Sequence, residues 1–503
     1  MRRAGVALAL AVLAGLGAYG LLARGGEGAP PDRAAAFVPA GARVYVNLST
    51  GSPGFERLRN LSEDLAAIDA GAAGVLARLA RLTRRSRIDP GRDIADWVKG
   101  EAAFAIVGGG RRPDWVAVIE ARDPGAARTA LRRVVGSEFA FTRNRVRAEG
   151  TERLVWAFHR GFALVGPKPG VRLALDVAAG TARPLSSLRS YRDLRRRLPP
   201  ERLATAYLSN AGLRQRGGLP AAALARLAGA GELRAAAAAL TLGEGRGRLT
   251  VAATPVGRGG CERPPVLPDL VDVAPPATAG LVEMATPGCA LSDLAEGDGP
   301  AGRLLRRLDR RSRLSLERDL VPLLQRGAAL LVTEPVSGPA LVLLVEGAGS
   351  RGVEILSRLQ PALLAEIAPV RRGQAPAFEA VTLADGTPAL TAALGPGLEL
   401  SYASIAGRLA VSTSLDGLDE VAREGGLGEE ERVEAVLREA PDEATALVFL
   451  DLDQLLALAE QVGFADNAAY LALRDDLQKL RSAGAVVTRG EDHTTAELSF
   501  QIP

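Results

Sequence analysis

Cysteine, histidine, lysine and aromatic residues are all scarce in this 503-residue chain. It has two cysteines, two histidines and 4% aromatic residues, and lysine stands only at positions 99, 168 and 479. Two cysteines exclude a disulfide-framed scaffold and a cysteine-built zinc site. His159 and His493 fall in turn-like segments, AFHRGFAL and RGEDHTTAEL, far apart in the chain. They are therefore expected as exposed turn residues, not as a catalytic pair or metal centre. Few aromatics leave few platforms for stacking bases, so no nucleic-acid partner is expected despite the arginine clusters at Arg195–Arg197 and 306–313. The chain contains no G-x-S-x-G, S-x-x-K or H-E-x-x-H. No catalytic residue, cofactor site or metal ligand is assigned.

Two further motifs have simple explanations. Gly108–Gly110 precedes a strand-like run, whereas a phosphate cradle needs a helix after its glycines, so the triplet reads as a hairpin turn. Asp451 and Asp453 resemble paired carboxylates, but further ligands are missing and Asp453 is expected to cap a helix over Leu455–Leu458.

The rest of the composition is that of a globular protein, 47% apolar and 24% charged, long enough for two domains with cores of their own. The net charge of +4 conceals a division. Residues 1–250 hold 40 basic and 21 acidic side chains, a balance of +19; residues 251–503 hold 22 and 37, a balance of −15. The basic half points to an anionic lipid or wall polymer as a possible partner.

Arg2 and Arg3 precede an apolar, small-residue run from Ala4 to Ala23. Twenty such residues as a helix cross a bilayer, and the paired arginines hold the amino terminus inside. Residues 4–23 are read as an uncleaved transmembrane anchor, with a cleaved signal as the alternative. Residues 1–3 are then a cytoplasmic stub, 24–36 a Gly/Pro/Ala tether, and the bulk of the chain extracytoplasmic.

Beyond the tether the chain repeats itself. Ala102–Val134 and Ala328–Gln360 align without a gap, Pro113 on Pro339 and Glu120 on Glu346, and each reads as strand, turn, strand, helix. Val44–Leu48 matches Gly280–Met284, and Thr205–Ser209 matches Ala446–Asp451. The expected fold class is α+β: two tandem homologous domains, 37–255 and 274–503, joined by a linker at 256–273. Each is expected as a mainly antiparallel sheet with helices on one face. Cys261 in the linker and Cys289 after the second domain's first strand are expected to form a disulfide outside the cytoplasm.

The opening AAAFVPAGARVYVNLST and the hairpin-helix WVAVIEARDPGAARTALRRV resemble a bacterial family of membrane-anchored extracytoplasmic proteins known only as a domain of unknown function. The resemblance implies location and architecture and brings no site residues. Two functions follow as expectations: a non-enzymatic envelope binding or scaffold protein with a hydrophobic ligand or protein partner, or an envelope hydrolase using Asp/Glu groups in an inter-domain cleft.

Overall fold

The computed structural model describes residues 32–49, 97–108, 114–135, 154–213, 233–243, 246–256 and, apart from short stretches, 267–501. The protein is α+β, built on antiparallel sheet, and divides into two compact units at Val256 and Gly257. Residues 4–23 and both cysteines lie outside the described residues. Among the described residues no helix is long and apolar enough to cross a membrane.

The described strands of the first unit are β1 (Val44–Ser49), β2 (Val98–Val107), β3 (Asp114–Ala121), β4 (Val155–His159), β5 (Phe162–Gly166), β6 (Ala204–Ser209), β7 (Leu233–Leu242) and β8 (Arg246–Pro255). They lie antiparallel in the order β4-β5-β3-β2-β1-β6-β7-β8. β2 and β3 form the expected hairpin across Gly108, which takes φ +82° at its start. The described α-helices longer than four residues are α1 (Pro124–Val134), α2 (Lys168–Ala178) and α3 (Arg189–Arg196).

Helices cover both faces of this sheet, not one. Tyr45, Ala105, Val116 and Val118 pack with α2 and α3 through Val171, Ala174, Tyr191 and Leu194. Phe104, Trp115, Ala117 and Trp156 face the other way and pack with Ala127, Ala130 and Leu131 of α1. The cause is visible in the central strands. AAFAIV and WVAVIEA are continuously apolar, and a strand that is apolar on both sides must be buried on both. In β1 the polar-looking side, Tyr45 and Asn47, is the one that turns towards α3, and Tyr45 is fully buried.

The second unit contains β9 (Thr278–Met284), β10 (Ala328–Thr333), β11 (Ala340–Val345), β12 (Glu379–Thr382), β13 (Pro388–Gly395), β14 (Leu398–Ile405), β15 (Arg408–Ser412), β16 (Ala444–Asp451), β17 (Ser482–Arg489) and β18 (Thr494–Gln501). Its order is β12-β13-β14-β15-β11-β10-β9-β16-β17-β18, again antiparallel. From β14 onwards this is the strand order of the first unit. β12 and β13, a hairpin turning at Asp385–Gly386, were not anticipated. The described α-helices longer than four residues are α4 (Pro300–Arg311), α5 (Gly349–Ile367), α6 (Leu415–Ala422), α7 (Glu431–Leu437) and α8 (Leu452–Gln461). α6 and α7 cover the face of Leu281, Leu331 and Phe449, while α5 packs on Val345 and Leu409.

One local feature repeats between the units. β4–β5 turns on Arg160 and Gly161 with φ of 47° and 83°, and β14–β15 on Ala406 and Gly407 with 46° and 79°. Left-handed backbone at both central residues is what a two-residue I′ hairpin requires. Glycine also permits close packing of α2. A Cβ at Gly170 would stand 2.1 Å from the Trp115 carbonyl oxygen on β3.

Candidate functional site

A cluster of buried polar side chains surrounds residues 32–36, at the start of the described part of the first unit. Residues 32–36, assigned to the tether by composition, belong to the fold. Ala34–Ala36 form a 3-10 turn, and Ala34 and Ala35 are fully buried. Alanine and small apolar residues look like linker composition, yet they are the residues that fit beneath a helix layer.

Three buried carboxylates hold this turn. Asp32 accepts from the Ala35 amide at 3.3 Å, from the Tyr45 hydroxyl at 2.5 Å and from the Tyr191 hydroxyl, with Arg195 Nε at 4.0 Å. Glu101 on β2 is 1% exposed. It accepts from the backbone amides of Arg33 (3.1 Å) and Ala34 (2.8 Å) and from Asn47 Nδ2 (3.0 Å). Glu120 on β3 binds the Arg33 guanidinium at 2.5 Å and Lys99 Nζ at 3.4 Å. Edge-on aromatic contacts surround the cluster, Tyr45 to Tyr191 at 6.0 Å and Tyr191 to Tyr207 at 5.3 Å.

Register explains why these residues meet. Asn47 pairs with Ala103 and Ser49 with Glu101, so Tyr45, Asn47 and Glu101 project to the same face at one end of the β1–β2 pair. α3 delivers Tyr191 and Arg195 from above, and the incoming chain delivers Asp32 and Arg33.

The electrostatics follow from burial. Burial pushes the Glu101 carboxyl up to about 8, and the adjacent Asp32 adds to the rise against the pull of the Ala34 and Arg33 amides. Burial, followed by the charge of Asp32, holds the hydroxyls of Tyr45 and Tyr191 well above the usual tyrosine range. Burial and then Arg195 lower Arg202. The Glu101 and Asp32 carboxyls are thus each enclosed by donors, backbone amides and Asn47 around the one and tyrosine hydroxyls around the other. Their chemistry is that of a clamp.

The second unit holds its own first strand in the same manner. Glu283 on β9, 1% exposed, accepts from the Leu270 amide at 3.0 Å. Leu270 begins the short helix Leu270–Val273, ten residues before Gly280, just as Ala34 stands ten residues before Val44. By register Glu283 occupies the position of Asn47, and Gly327 that of Glu101, since Leu48 pairs with Ala102 and Met284 with Ala328. In the second unit the carboxylate stands on β9 and accepts from the amide ten residues before Gly280.

The residues singled out from sequence sit elsewhere. His159 ends β4 and is half-buried, its ring edge-on to Phe37 at 6.0 Å, so it is not the solvated turn residue expected. The I′ turn begins one residue later and leaves His159 in the sheet. His493 pairs with Asp492 at 2.8 Å. The helix cap is Asp451, not Asp453. Its carboxylate accepts from the Gln454 amide at 3.0 Å and binds Arg432 Nη1 at 2.5 Å, while Asp453 is exposed within the first turn. β16 ends at Asp451, where its strand was expected to end, but the helix begins at once at Leu452 and not at Leu455, which places Asp451 at the junction. Among the described residues no three His, Cys, Asp or Glu side chains gather as a metal site. Sequence reasoning missed Glu101. The available signal was a carboxylate inside an otherwise apolar run, VKGEAAFAIV.

The first unit also carries the sequence likeness. Residues 4–244 match the family described as "Protein of unknown function (DUF3352)". The DUF3352 match spans just under half of the chain and covers the clamp of Asp32, Glu101 and Glu120. Its description accords with the resemblance to a domain of unknown function and adds no activity. No curated protein matches the chain. Two solved structures are similar in part: "Structure of crystal form I of TP0453", 14% identical over 46% of this chain and 81% of that one with a TM-score of 0.25, and crystal form III, 16% identical over 45% and 80% with a TM-score of 0.26.

Proposed function

We propose that this is a membrane-anchored envelope protein with a binding or scaffold role and no hydrolytic centre. The observation that carries the reading is the use made of the buried acids. Asp32, Glu101, Glu120, Glu283 and Asp451 are each engaged by backbone amides, tyrosine hydroxyls or basic side chains. An Asp/Glu hydrolase instead needs a carboxyl pair aimed at a solvent-filled cleft. The buried carboxylates here act as structural clamps.

The two units are proposed to descend from one duplicated ancestor. Support comes from their shared strand order, the paired I′ turns and the clamp at matching amides. Residues 4–23 are the proposed anchor, and Cys261 with Cys289 the proposed disulfide in an oxidising compartment.

A binding role also has a surface to use. Leu330 and Leu341 are 45% and 48% exposed on β10 and β11. The matching positions of the first unit, Phe104 and Trp115, are buried against each other at 5.8 Å.

Membrane fractionation of the full chain tests the proposal. The chain should stay with membranes through a high-salt wash and leave them on cleavage within residues 24–31. Native mass spectrometry of the detergent-purified chain should then show a bound lipid or peptide. Recovery in the soluble fraction would remove the anchor, and ligand-free protein would remove the binding role.

A further inference from the structure

We propose that α3 and its flanks form a docking surface for anionic phospholipid headgroups, held at the bilayer by the way the chain enters the first unit. The proposal rests on the reading of residues 4–23 as a membrane anchor. Between Arg183 and Arg202 the chain has seven arginines against two carboxylates, Asp193 and Glu201, a balance of +5. α3 buries Tyr191 and Leu194 and turns Arg189, Arg192 and Arg196 outwards. The side chains of Arg189 and Arg196 are 90% and 73% exposed. Asp193 lies 3.4 Å from Arg189 and 3.6 Å from Arg196, and one carboxylate cannot neutralise both. Basic residues at a helix carboxyl end favour the helix dipole, but that accounts only for the last turn, Arg195 and Arg196.

Position supplies the second argument. Asp32 is bonded by Tyr191 and lies 4.0 Å from Arg195, both on α3. The chain therefore joins the fold against this helix. The apolar run ends at Ala23, and the eight residues between it and Asp32 span at most about 30 Å. A tether that short keeps the arginines close to the headgroups on which the anchor ends. Guanidinium groups bind phosphate oxygens in pairs, and attraction to an anionic leaflet raises local partition about fivefold for each arginine near the surface.

The experiment places the full chain in vesicles of phosphatidylcholine alone or with phosphatidylglycerol added, at low salt. Amide exchange is then followed over residues 186–200. Exchange should slow severalfold in the anionic vesicles, return to the phosphatidylcholine rate at high salt, and show no slowing in Arg189→Gln/Arg192→Gln/Arg196→Gln. Flotation of the same samples at high salt reads the anchor. A chain that floats yet exchanges equally in both vesicles overturns the surface and leaves the anchor standing. A chain that floats with neither overturns both. Slowing by soluble polyphosphate without any vesicle effect would assign the surface to a wall polymer and overturn the lipid.

Discussion

Glu101 shows how much one buried side chain can hold. It closes two backbone donors and an amide side chain at once, and water reaches almost none of it. Glu101→Ala leaves those donors unmatched and is expected to cost about 3 kcal/mol, read as a shift in the urea midpoint with unchanged slope. The pH dependence has a definite sign. A carboxyl lifted from 4.5 to about 8 holds its proton more tightly in the fold than in the unfolded chain. Stability from this group is therefore complete below pH 4.5 and declines as the pH rises to about 8, a trend that belongs to the Glu101–Asp32 pair. Glu101→Gln cannot ionise and should flatten the stability curve over that interval. A wild-type curve that rises from pH 5 to 8 in the first unit's transition would contradict the assignment. These roles were hidden in the sequence because a lone glutamate in a strand has no periodic signature.

Elements are fixed here by single positions at their ends and contacts. α1 begins at Asp123, whose carboxylate accepts from the Gly125 and Ala126 amides at 2.7 and 3.1 Å, with Pro124 in the first turn. α8 begins at Asp451. Asp451→Ala removes a cap and a partner of Arg432 together and should cost about 2–3 kcal/mol, whereas Asp453→Ala should stay within about 0.5 kcal/mol. Equal effects would restore Asp453 as the cap. Gly170→Ala drives a methyl into the Trp115 carbonyl and must push α2 off β3. Its expected loss is about 3 kcal/mol or more, seen as a fall of roughly 5 °C or more in the melting temperature of a unit this size. The β4–β5 connection was legible as a turn but read one residue early, at His159, and α2's close approach was not legible, because a glycine in a helix says nothing about what faces it.

At the scale of the whole molecule, each unit solves the same problem with a different residue. The first clamps Ala34 from β2, the second clamps Leu270 from the strand beside it. The exchange is testable as a transplant. Asn47→Glu added to Glu101→Gly should recover at least half of the stability that Glu101→Gly loses, measured by urea unfolding of the full chain. A double variant no more stable than the single one would show that the clamps are not equivalent. The same comparison sets Phe104 and Trp115 beside Leu330 and Leu341, where like sheet positions are buried in one unit and exposed in the other.

Strand programme, hairpin turns and the restart of the pattern after residue 256 were written in the sequence. They arise from local periodicity and turn residues, which act over a few positions whatever surrounds them. Tertiary structure alone decided that both sheet faces are covered and that 32–36 is fold and not tether. It also decided that Tyr45 points inwards and that Asp32, Glu101 and Glu120 share one cluster. Those outcomes depend on which groups, distant in sequence, exclude water from one another, and burial of that kind has no expression in neighbouring residues.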